Sequence, residues 1–497
     1  MQEPTPKEDQ PSKTAIVSAF AILLLAWLAI LWPFPKGLFK ESDTFWLIET
    51  GNNILQHSAL PTTDPYSFAS LSTPWIVYQW LSEVVLALAN NFGLTGVSIL
   101  GEVTMGLLLC VLIFRRMITV GGNSIVALIV IAIVTHATYP DIASLRPQLF
   151  SFVFLFLLQT ILEDVWSAGI VATKNLRFVL AKTFAIGVLW ANCHVSFPLG
   201  LMMLAIYLGG AAVRLVVRKD EDKSRLKNFA WMTAMFLGAT FINPYGVGLW
   251  IFLKSLNNIY VAQEMQPLDW NKSRLYVIVY CLLLSSTVQL WKSAARPRMV
   301  LSVVLFAIGC LHARLIIYFC LSTCPLIGQA VSTMLAKVNA WRKIAHLSEA
   351  IKVVAFKRYY PVAVIAASVL VVCVQPVYIL RVVPLRAAEY LDAHRVPGNL
   401  FCTVTSGSYL IYRFRGSIKV FMDTRLDRYD RALCLRYAAA TMGAGWKELF
   451  GEYNITETLL PTGLPLNQAI EHDPDWKKVY EDDDFSISIR RHLPGQL

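Results

Sequence analysis

The segment Glu41-Ser42-Asp43-Thr44-Phe45-Trp46 follows closely on the apolar run Ala15–Trp32, AIVSAFAILLLAWLAILW. Crossing the hydrocarbon core of a bilayer takes about 20 apolar residues of helix, so this run predicts a membrane span. The polar head before it has no small-residue cleavage site, and we interpret the run as a retained span. Asp43 therefore lies where a hydrophobic span meets water, in a long loop, 34–93. This layout indicates chemistry at a membrane surface, on a substrate that is partly lipid.

The composition of the chain supports this interpretation. Of 497 residues, 56% are hydrophobic and 15% are charged, whereas soluble proteins have about 25% charged residues. The chain is therefore predicted to be a polytopic membrane protein. Its net charge of +11 does not require a nucleic-acid partner, because cytoplasmic loops of membrane proteins are rich in Lys and Arg. The absence of P-loop, GxGxxG, HExxH and GxSxG motifs argues against ATP-driven transport, dinucleotide chemistry, zincin proteolysis and α/β-hydrolase chemistry.

Apolar blocks of span length recur along the first three quarters of the chain. The predicted spans are 15–33, 94–114, 121–139, 147–163, 178–195, 197–217, 228–243, 274–291, 299–313, 315–335 and 359–381. The segment Leu81–Leu94 is apolar but too short to cross a bilayer, so we interpret it as an interfacial or re-entrant helix. The sequence thus predicts a bundle of about eleven transmembrane helices.

Lys and Arg cluster after every second predicted span, beginning with Arg115 and Arg116 after the second. By the positive-inside rule, the N-terminus is then cytoplasmic and the alternate loops face outside. The C-terminal part also lies outside. The outer loops are those that contain Asp43, Asp141, His194, Glu264 and Arg314.

The chain changes character near residue 382. Predicted strands at 400–404, 418–422, 457–460, 477–481 and 485–490 alternate with helical segments. Such alternation predicts a small α/β domain with a largely parallel sheet. We therefore expect a transmembrane domain, 1–381, and an extracytoplasmic α/β domain, 382–497. Cys402 and Cys434 could form a disulfide bond outside the cytoplasm, or they could remain free thiols.

Charged residues of the outer loops are the main candidates for a functional site. Asp43 could merely complement the dipole of a helix capped by Ser42; it could also deprotonate an acceptor hydroxyl or help bind a divalent cation, together with Asp141. Arg146 and Arg314 lie at outer ends of spans, against the charge bias. Each could bind phosphate, whose oxygens match a guanidinium group, or pair with an acid, which for Arg146 would be Asp141.

Four more residues have two interpretations each. Asp64 precedes Pro65 in a predicted turn and could serve the turn or act as a second acid. Glu102 lies inside a span, where ionisable residues are costly and usually functional, but it could also pair with an outer Arg. His194 could carry protons or bind a metal, or simply form structural hydrogen bonds. Glu264 could join a carboxylate cluster or be solvated.

Several outer segments occur in an ordered series. They are Asp43-Thr44-Phe45-Trp46, Thr63-Asp64-Pro65-Tyr66, Arg146-Pro147-Gln148, Trp190-Ala191-Asn192-Cys193-His194, Asn243-Pro244-Tyr245-Gly246 and Phe421-Met422-Asp423-Thr424-Arg425. Together they resemble bacterial polytopic glycosyltransferases of the GT-C type, which are related in architecture to the oligosaccharyltransferase and protein-mannosyltransferase groups. The resemblance implies sugar transfer from a polyprenyl-phosphate donor on the outer face of the membrane, with a catalytic carboxylate that maps onto Asp43.

This resemblance leads to further expectations. We expect Arg146 and Arg314 to hold the donor phosphate, and we expect the protein in the inner (plasma) membrane of a bacterium. The acceptor could be a saccharide, a lipid or a protein. The sequence departs from the family pattern at Leu47, where a His is usual, and at Tyr78-Gln79, where His-Glu is usual. These departures keep two alternatives open: a non-catalytic membrane assembly partner, and a transporter of lipid-linked saccharides.

The predicted topology can be tested at position 43. After replacement of the native cysteines, a cysteine introduced by Asp43→Cys should react with a membrane-impermeant thiol reagent that reaches only the outer face, because this loop is expected outside. A cysteine introduced by Lys223→Cys, in a loop expected to be cytoplasmic, should react only after permeabilisation. The opposite labelling pattern would contradict the topology and the site.

Overall fold

The structure is a computed structural model that describes residues 11–70, 72–168, 175–217, 223–256, 267–268, 280, 296–337, 345–377, 379, 383–394 and 398–491. Glu264 and nearly all of the predicted span 274–291 lie outside the described residues, as does the side chain of Asp141. The other predicted spans fall almost wholly on residues that are described.

Helices dominate the described part of the chain. They are α1 (Lys13–Leu31), α2 (Asp43–His57), α3 (Trp80–Ala89), α4 (Gly93–Gly106), α5 (Phe114–Thr119), α6 (Ser124–Ile142), α7 (Gln148–Ala168), α8 (Leu176–Cys193), α9 (Pro198–Val217), α10 (Ser224–Ala239), α11 (Val247–Leu256), α12 (Arg296–Leu311), α13 (Ile316–Leu335), α14 (Ala345–Ala355), α15 (Tyr359–Val374), α16 (Leu385–His394), α17 (Val404–Arg413), α18 (Arg431–Thr441), α19 (Trp446–Glu452) and α20 (Pro465–Glu471). A π-helical segment, Leu107–Ile113, joins α4 to α5.

Ten of the eleven predicted spans coincide with a helix of the described residues. By length and composition, six helical segments can cross a membrane, or seven if the bent pair α14–α15 forms one span. The six are Lys13–Lys36, Trp80–Thr119, Gln148–Ser167, Leu176–Cys193, Pro198–Val216 and Ala313–Leu335. The apolar parts of α6 and α12 are shorter. The predicted membrane helical bundle is confirmed, while the count of eleven spans stays a prediction.

The C-terminal part contains the predicted small sheet, but the direction of its strands and their number differ from the prediction. Four strands, β1 (Asn399–Cys402), β2 (Ile455–Pro461), β3 (Trp476–Glu481) and β4 (Phe485–Arg490), lie in the order β1-β2-β4-β3. Only β1 and β2 are parallel, so the prediction of a largely parallel sheet is wrong. The reason is the tight turn at 482–484, which returns β4 antiparallel to both of its neighbours. Cys402 and Cys434 are buried free thiols.

The fifth predicted strand, 418–422, forms only isolated bridges, and these connect the two parts of the protein. The Val420 amide donates to Tyr66 O at 3.0 Å, and the Phe68 amide donates to Val420 O at 3.2 Å. On its other side, the Phe421 amide donates to Leu400 O of β1 at 3.1 Å. The loop after α2 therefore docks on the edge of the C-terminal sheet through main-chain hydrogen bonds.

A buried arginine fixes the same junction. Arg425 Nη1 lies 2.9 Å from Asp64 Oδ1, and its Nη2 lies 2.6 Å from Asp423 Oδ2. All three side chains are at most 1% exposed. The rings of Trp46, Tyr66 and Trp75 surround the guanidinium, with centroids 4.8 to 5.7 Å from its carbon. The loop and the C-terminal part thus share one desolvated ionic contact.

The helix that begins at Asp43 packs closely on the next one. A Cβ atom at Gly51 of α2 would lie 2.0 Å from the Glu83 carbonyl oxygen of α3. Only glycine permits this approach of two backbones. The crossing fixes α2 on the membrane bundle and so sets the position of its N-terminus.

Replacement of the buried arginine should unfold this junction. Arg425→Leu leaves Asp64 and Asp423 as unpaired buried carboxylates, and breaking a buried ion pair costs about 3–5 kcal/mol. The matched control is Arg413→Leu, because Arg413 pairs with Asp392 at the surface, where such contacts are worth at most about 1 kcal/mol. Thermal unfolding of the purified proteins should separate the two variants, and equal midpoints would refute the proposed importance of the contact.

Candidate active site

The N-terminus of α2 is held against the loop between α6 and α7. Thr44 Oγ1 donates to Leu145 O at 2.7 Å, and the Leu145 amide donates to Leu38 O at 3.1 Å. These hydrogen bonds bring the residue before Thr44 and the residue after Leu145 to the same place. That pair is Asp43 and Arg146.

Arg146 pairs with two carboxylates at the start of α2. Its Nη2 lies 2.9 Å from Asp43 Oδ2 and also contacts Glu41 Oε2. The arginine side chain is 11% exposed and that of Asp43 is 22% exposed. The pair therefore lies at a site that is shielded from bulk water but still open to it, where charge interactions are stronger than in water.

Arg314 lies near this pair, at the beginning of α13. Its Nε donates to Gln148 Oε1 at 2.9 Å, and Gln148 is the first residue of α7. Since Arg146 precedes Gln148 by two residues, both guanidinium groups lie at the same end of the bundle. Two cations and two carboxylates thus converge from three separate loops.

His194, directly after α8, faces both arginines. Its Nδ1 lies 2.8 Å from Ser196 Oγ, which also contacts Ser151 at 2.9 Å. Although part of its surface is exposed, burial lowers the pKa of His194 to about 3, with further lowering by Arg314 and then Arg146. The imidazole is therefore neutral at physiological pH, and it offers hydrogen bonds but no positive charge.

Tyr78 occupies one of the positions that depart from the family pattern. Burial raises the pKa of its hydroxyl well above the ordinary value, with additional raising by Asp427, Glu83 and Asp43 and a lowering by Arg314. The phenol is thus neutral and senses the charges of the site. Leu47, the other departure, is buried and apolar at 1% exposure, so its side chain supplies no polar group.

The remaining candidates lie elsewhere. Asp64 belongs to the buried contact with Arg425. Glu102 is fully buried in α4, and neither of its carboxylate oxygens has a hydrogen-bond partner among the described residues. The structure does not join either residue to Asp43. Within the described ranges, no three His, Cys, Asp or Glu side chains gather in a way that could hold a metal ion.

Sequence reasoning missed three contributors to the site. Glu41 shares Arg146 with Asp43, and its position two residues before Asp43 is the only sequence signal for it. Gln148 orients Arg314 across 166 residues of chain, which no local pattern reveals. Tyr78 was identified only as a departure from the family pattern, and no pattern in the sequence indicates that its hydroxyl senses Asp43 and Arg314.

Comparison with known proteins gives matches by structure alone. The apo oligosaccharyltransferase of Archaeoglobus fulgidus is similar over 90% of this chain and 70% of its own, with a TM-score of 0.61 and 9% identity. AglB from the same organism, in complex with an inhibitory peptide and a dolichol-phosphate, has a TM-score of 0.57 and 9% identity over 90% and 69% of the two chains. ArnT from Cupriavidus metallidurans, bound to undecaprenyl phosphate, has a TM-score of 0.56 and 11% identity over 98% and 100%.

No family model matches the sequence, and no curated protein matches it by sequence. The solved structures are GT-C glycosyltransferases. The chain therefore has the GT-C fold, and the predicted resemblance in fold is confirmed. At these identities the likeness is one of fold, so the chemistry has to be argued from the residues themselves.

The neutral His194 predicts an acid-sensitive structure. Its pKa is about 3 in the folded protein and about 6.5 when unfolded. The unfolded state therefore binds the extra proton first, and stability is lost as the pH falls below about 6.5, by up to about 1.4 kcal/mol per pH unit. His194→Gln should flatten the fall in unfolding temperature between pH 7 and pH 5, whereas His57→Gln, at the exposed end of α2, should not. Parallel curves for all three proteins would contradict this.

Proposed function

We propose that this protein is a membrane glycosyltransferase that moves a sugar from a polyprenyl-phosphate donor to an acceptor on the outer face of the membrane. The observation that carries the proposal is the pairing of Asp43 with Arg146 beside Arg314, at one end of a GT-C bundle. Transfer from such a donor needs a base for the acceptor and cations for the leaving phosphate. The donor class is supported by the ligands of two similar proteins, dolichol-phosphate and undecaprenyl phosphate.

Asp43 supplies the base. Its carboxylate takes the proton of the acceptor hydroxyl as the hydroxyl oxygen attacks the anomeric carbon. The bond from that carbon to the phosphate oxygen breaks, and its electron pair leaves on the polyprenyl phosphate. Attack opposite to the departing phosphate inverts the anomeric configuration.

Arg146 and Arg314 hold the phosphate. Negative charge grows on the leaving oxygen in the transition state, and fixed guanidinium groups at a shielded site stabilise it without reorganisation. In the structure, Arg146 forms ion pairs with Asp43 and Glu41. A phosphate that takes over Arg146 therefore releases Asp43 toward the acceptor, so donor binding prepares the base.

His194 and Tyr78 act as neutral groups in this scheme. The pKa of His194 is about 3, so the imidazole adds no cation near the phosphate and does not compete with the arginines for charge. The neutral phenol of Tyr78 and the neutral imidazole can orient sugar hydroxyl groups through hydrogen bonds.

The alternative is a non-catalytic assembly partner that binds the same donor. Leu47 and Gln79 favour it, because both replace the polar residues usual at these positions. In that case Arg146 and Arg314 still bind the lipid phosphate, but Asp43 takes no proton from an acceptor.

Asp43→Asn tests the mechanism. The amide keeps the shape of the side chain but cannot accept the proton, and loss of a general base costs about 10²–10⁴ in rate. Transfer of labelled sugar from polyprenyl-phosphate donor to acceptor should collapse in membranes of the native host that contain equal amounts of protein. Asp392→Asn, which removes a surface carboxylate of the C-terminal part, should leave transfer unchanged.

Two outcomes would reject the proposed base. Full transfer by Asp43→Asn would remove Asp43 from the reaction. Donor binding by the purified wild type without any transfer would favour the assembly partner. Donor binding that is weakened by Arg314→Gln but not by Asp43→Asn would separate phosphate binding from proton transfer.

A further inference from the structure

A second charged cavity lies at the opposite end of the bundle from Asp43. It has a volume of about 620 Å³ and lies between α5, α7, α9, α10, α12 and α13. Fifteen residues separate Gln148, at the site, from Glu163, at the cavity, along the single helix α7. This corresponds to about 22 Å at 1.5 Å of rise per residue, so the cavity is separate from the proposed active site.

The described lining of the cavity is rich in arginine. Arg116, Arg214, Arg225 and Arg298 line it, together with the carboxylates of Glu163 and Asp164. Lys and Arg are common at the cytoplasmic ends of membrane helices, so the number of arginines does not by itself indicate a ligand. The hydrogen bonds of the individual side chains carry that inference.

The carboxylates are already engaged at one wall. Arg116 Nη2 lies 2.8 Å from Glu163 Oε2, and its Nη1 lies 2.6 Å from Asp164 Oδ1. Arg298 Nε lies 2.8 Å from the other oxygen of Glu163, which also accepts from Gln159 Nε2 at 2.8 Å. Glu163 therefore forms ion pairs with two arginines, Arg116 and Arg298.

Two deeply buried side chains of the cavity, Arg298 and Tyr207, have a polar atom without a hydrogen-bond partner among the described residues. Arg298 is 5% exposed, and its Nη2 has no hydrogen-bond partner among the described residues. Tyr207 is 1% exposed, and its hydroxyl likewise has none there. An unsatisfied buried donor costs about 1–3 kcal/mol, and more when it is charged. A ligand with several acceptor oxygens would satisfy both groups.

We propose that this cavity binds a phosphate group. Phosphate oxygens match the fork of a guanidinium group, and a negatively charged oxygen suits the charged donor Arg298 Nη2 better than a neutral acceptor does. The phosphate could be carried by a lipid headgroup or be free in solution. The location of the cavity at the end of the bundle suits a headgroup, because lipid headgroups lie at the ends of membrane-spanning helices.

Photolabelling tests the site itself. The purified full chain in lipid nanodiscs is irradiated with a phosphatidic acid that carries a diazirine beside its phosphate, and the labelled peptides are mapped by mass spectrometry. Label is expected on peptides of α9 and α12. Suppression of the label by millimolar inorganic phosphate would indicate that free phosphate suffices, whereas persistence of the label would indicate that the lipid is needed.

Variants show whether the cavity arginines carry the binding. Arg298→Gln and Arg214→Gln should each lower the α9 and α12 label roughly tenfold, the effect expected for loss of one charged hydrogen bond. Arg214→Gln keeps the pairs of Glu163 intact and therefore tests the proposal if Arg298→Gln does not fold. The matched control is Arg115→Gln. Arg115 is next to Arg116 in sequence, but its Nε donates to Ala355 O at 2.7 Å, outside the cavity lining. This variant should leave the label unchanged.

The two proposals can fail separately. Asp43→Asn, which is expected to stop sugar transfer, should leave the α9 and α12 label intact. Two results would overturn the phosphate site. One is label confined to peptides around Arg146 and Arg314. The other is an equal amount of α9 and α12 label in the wild type and in the R298Q, R214Q and R115Q variants.

Discussion

The ionic contact between Arg146 and the carboxylates of Asp43 and Glu41 is the interaction on which the proposed chemistry depends. It joins the beginning of α2 to the beginning of α7, and thereby brings a carboxylate and a guanidinium group within hydrogen-bonding distance of each other. Arg314 and His194 complete the cluster because α8 and α13 have their ends at the same level. A charge that is shielded from water must be paired. In the proposed mechanism the same groups also bind the donor phosphate and take the acceptor proton.

A second arginine holds the long segment between α2 and α3 in place. Arg425 binds Asp64 of the loop and Asp423 of the C-terminal part inside a cage of three aromatic rings. The loop also adds main-chain hydrogen bonds to the edge of the sheet at Val420. The Trp46 indole nitrogen donates to Thr424 Oγ1 at 3.1 Å, so the helix that carries Asp43 is itself tied to this junction. The C-terminal part is therefore a support for the site.

The bundle presents charged groups at both ends, with different organisation. At the Asp43 end, Arg146 pairs with Asp43 and Glu41, and the nearby imidazole of His194 is neutral. This arrangement suits the proposed release of Asp43 when a phosphate binds. At the other end, arginines line a cavity, and Arg298 Nη2 and the Tyr207 hydroxyl have no hydrogen-bond partner among the described residues. That arrangement suits a bound anion. Helices α7 and α13 run between the two ends, so they form a direct mechanical connection between them.

The sequence by itself determined the class of the molecule, since span-length apolar blocks have no stable place except a membrane and ten of them coincide with helices of the described residues. It also placed Asp43 at the start of a helix, and the ordered outer motifs predicted the GT-C fold. The parallel sheet was wrongly predicted, because strand direction depends on a three-residue turn that the alternation of elements does not reveal. Only the tertiary structure decided the partners: Arg146 with Asp43 and Glu41, Arg314 with Gln148, and Asp64 with Arg425. Such pairs join residues up to 361 positions apart, and a side chain selects a partner by distance and desolvation in space, which a linear pattern does not contain.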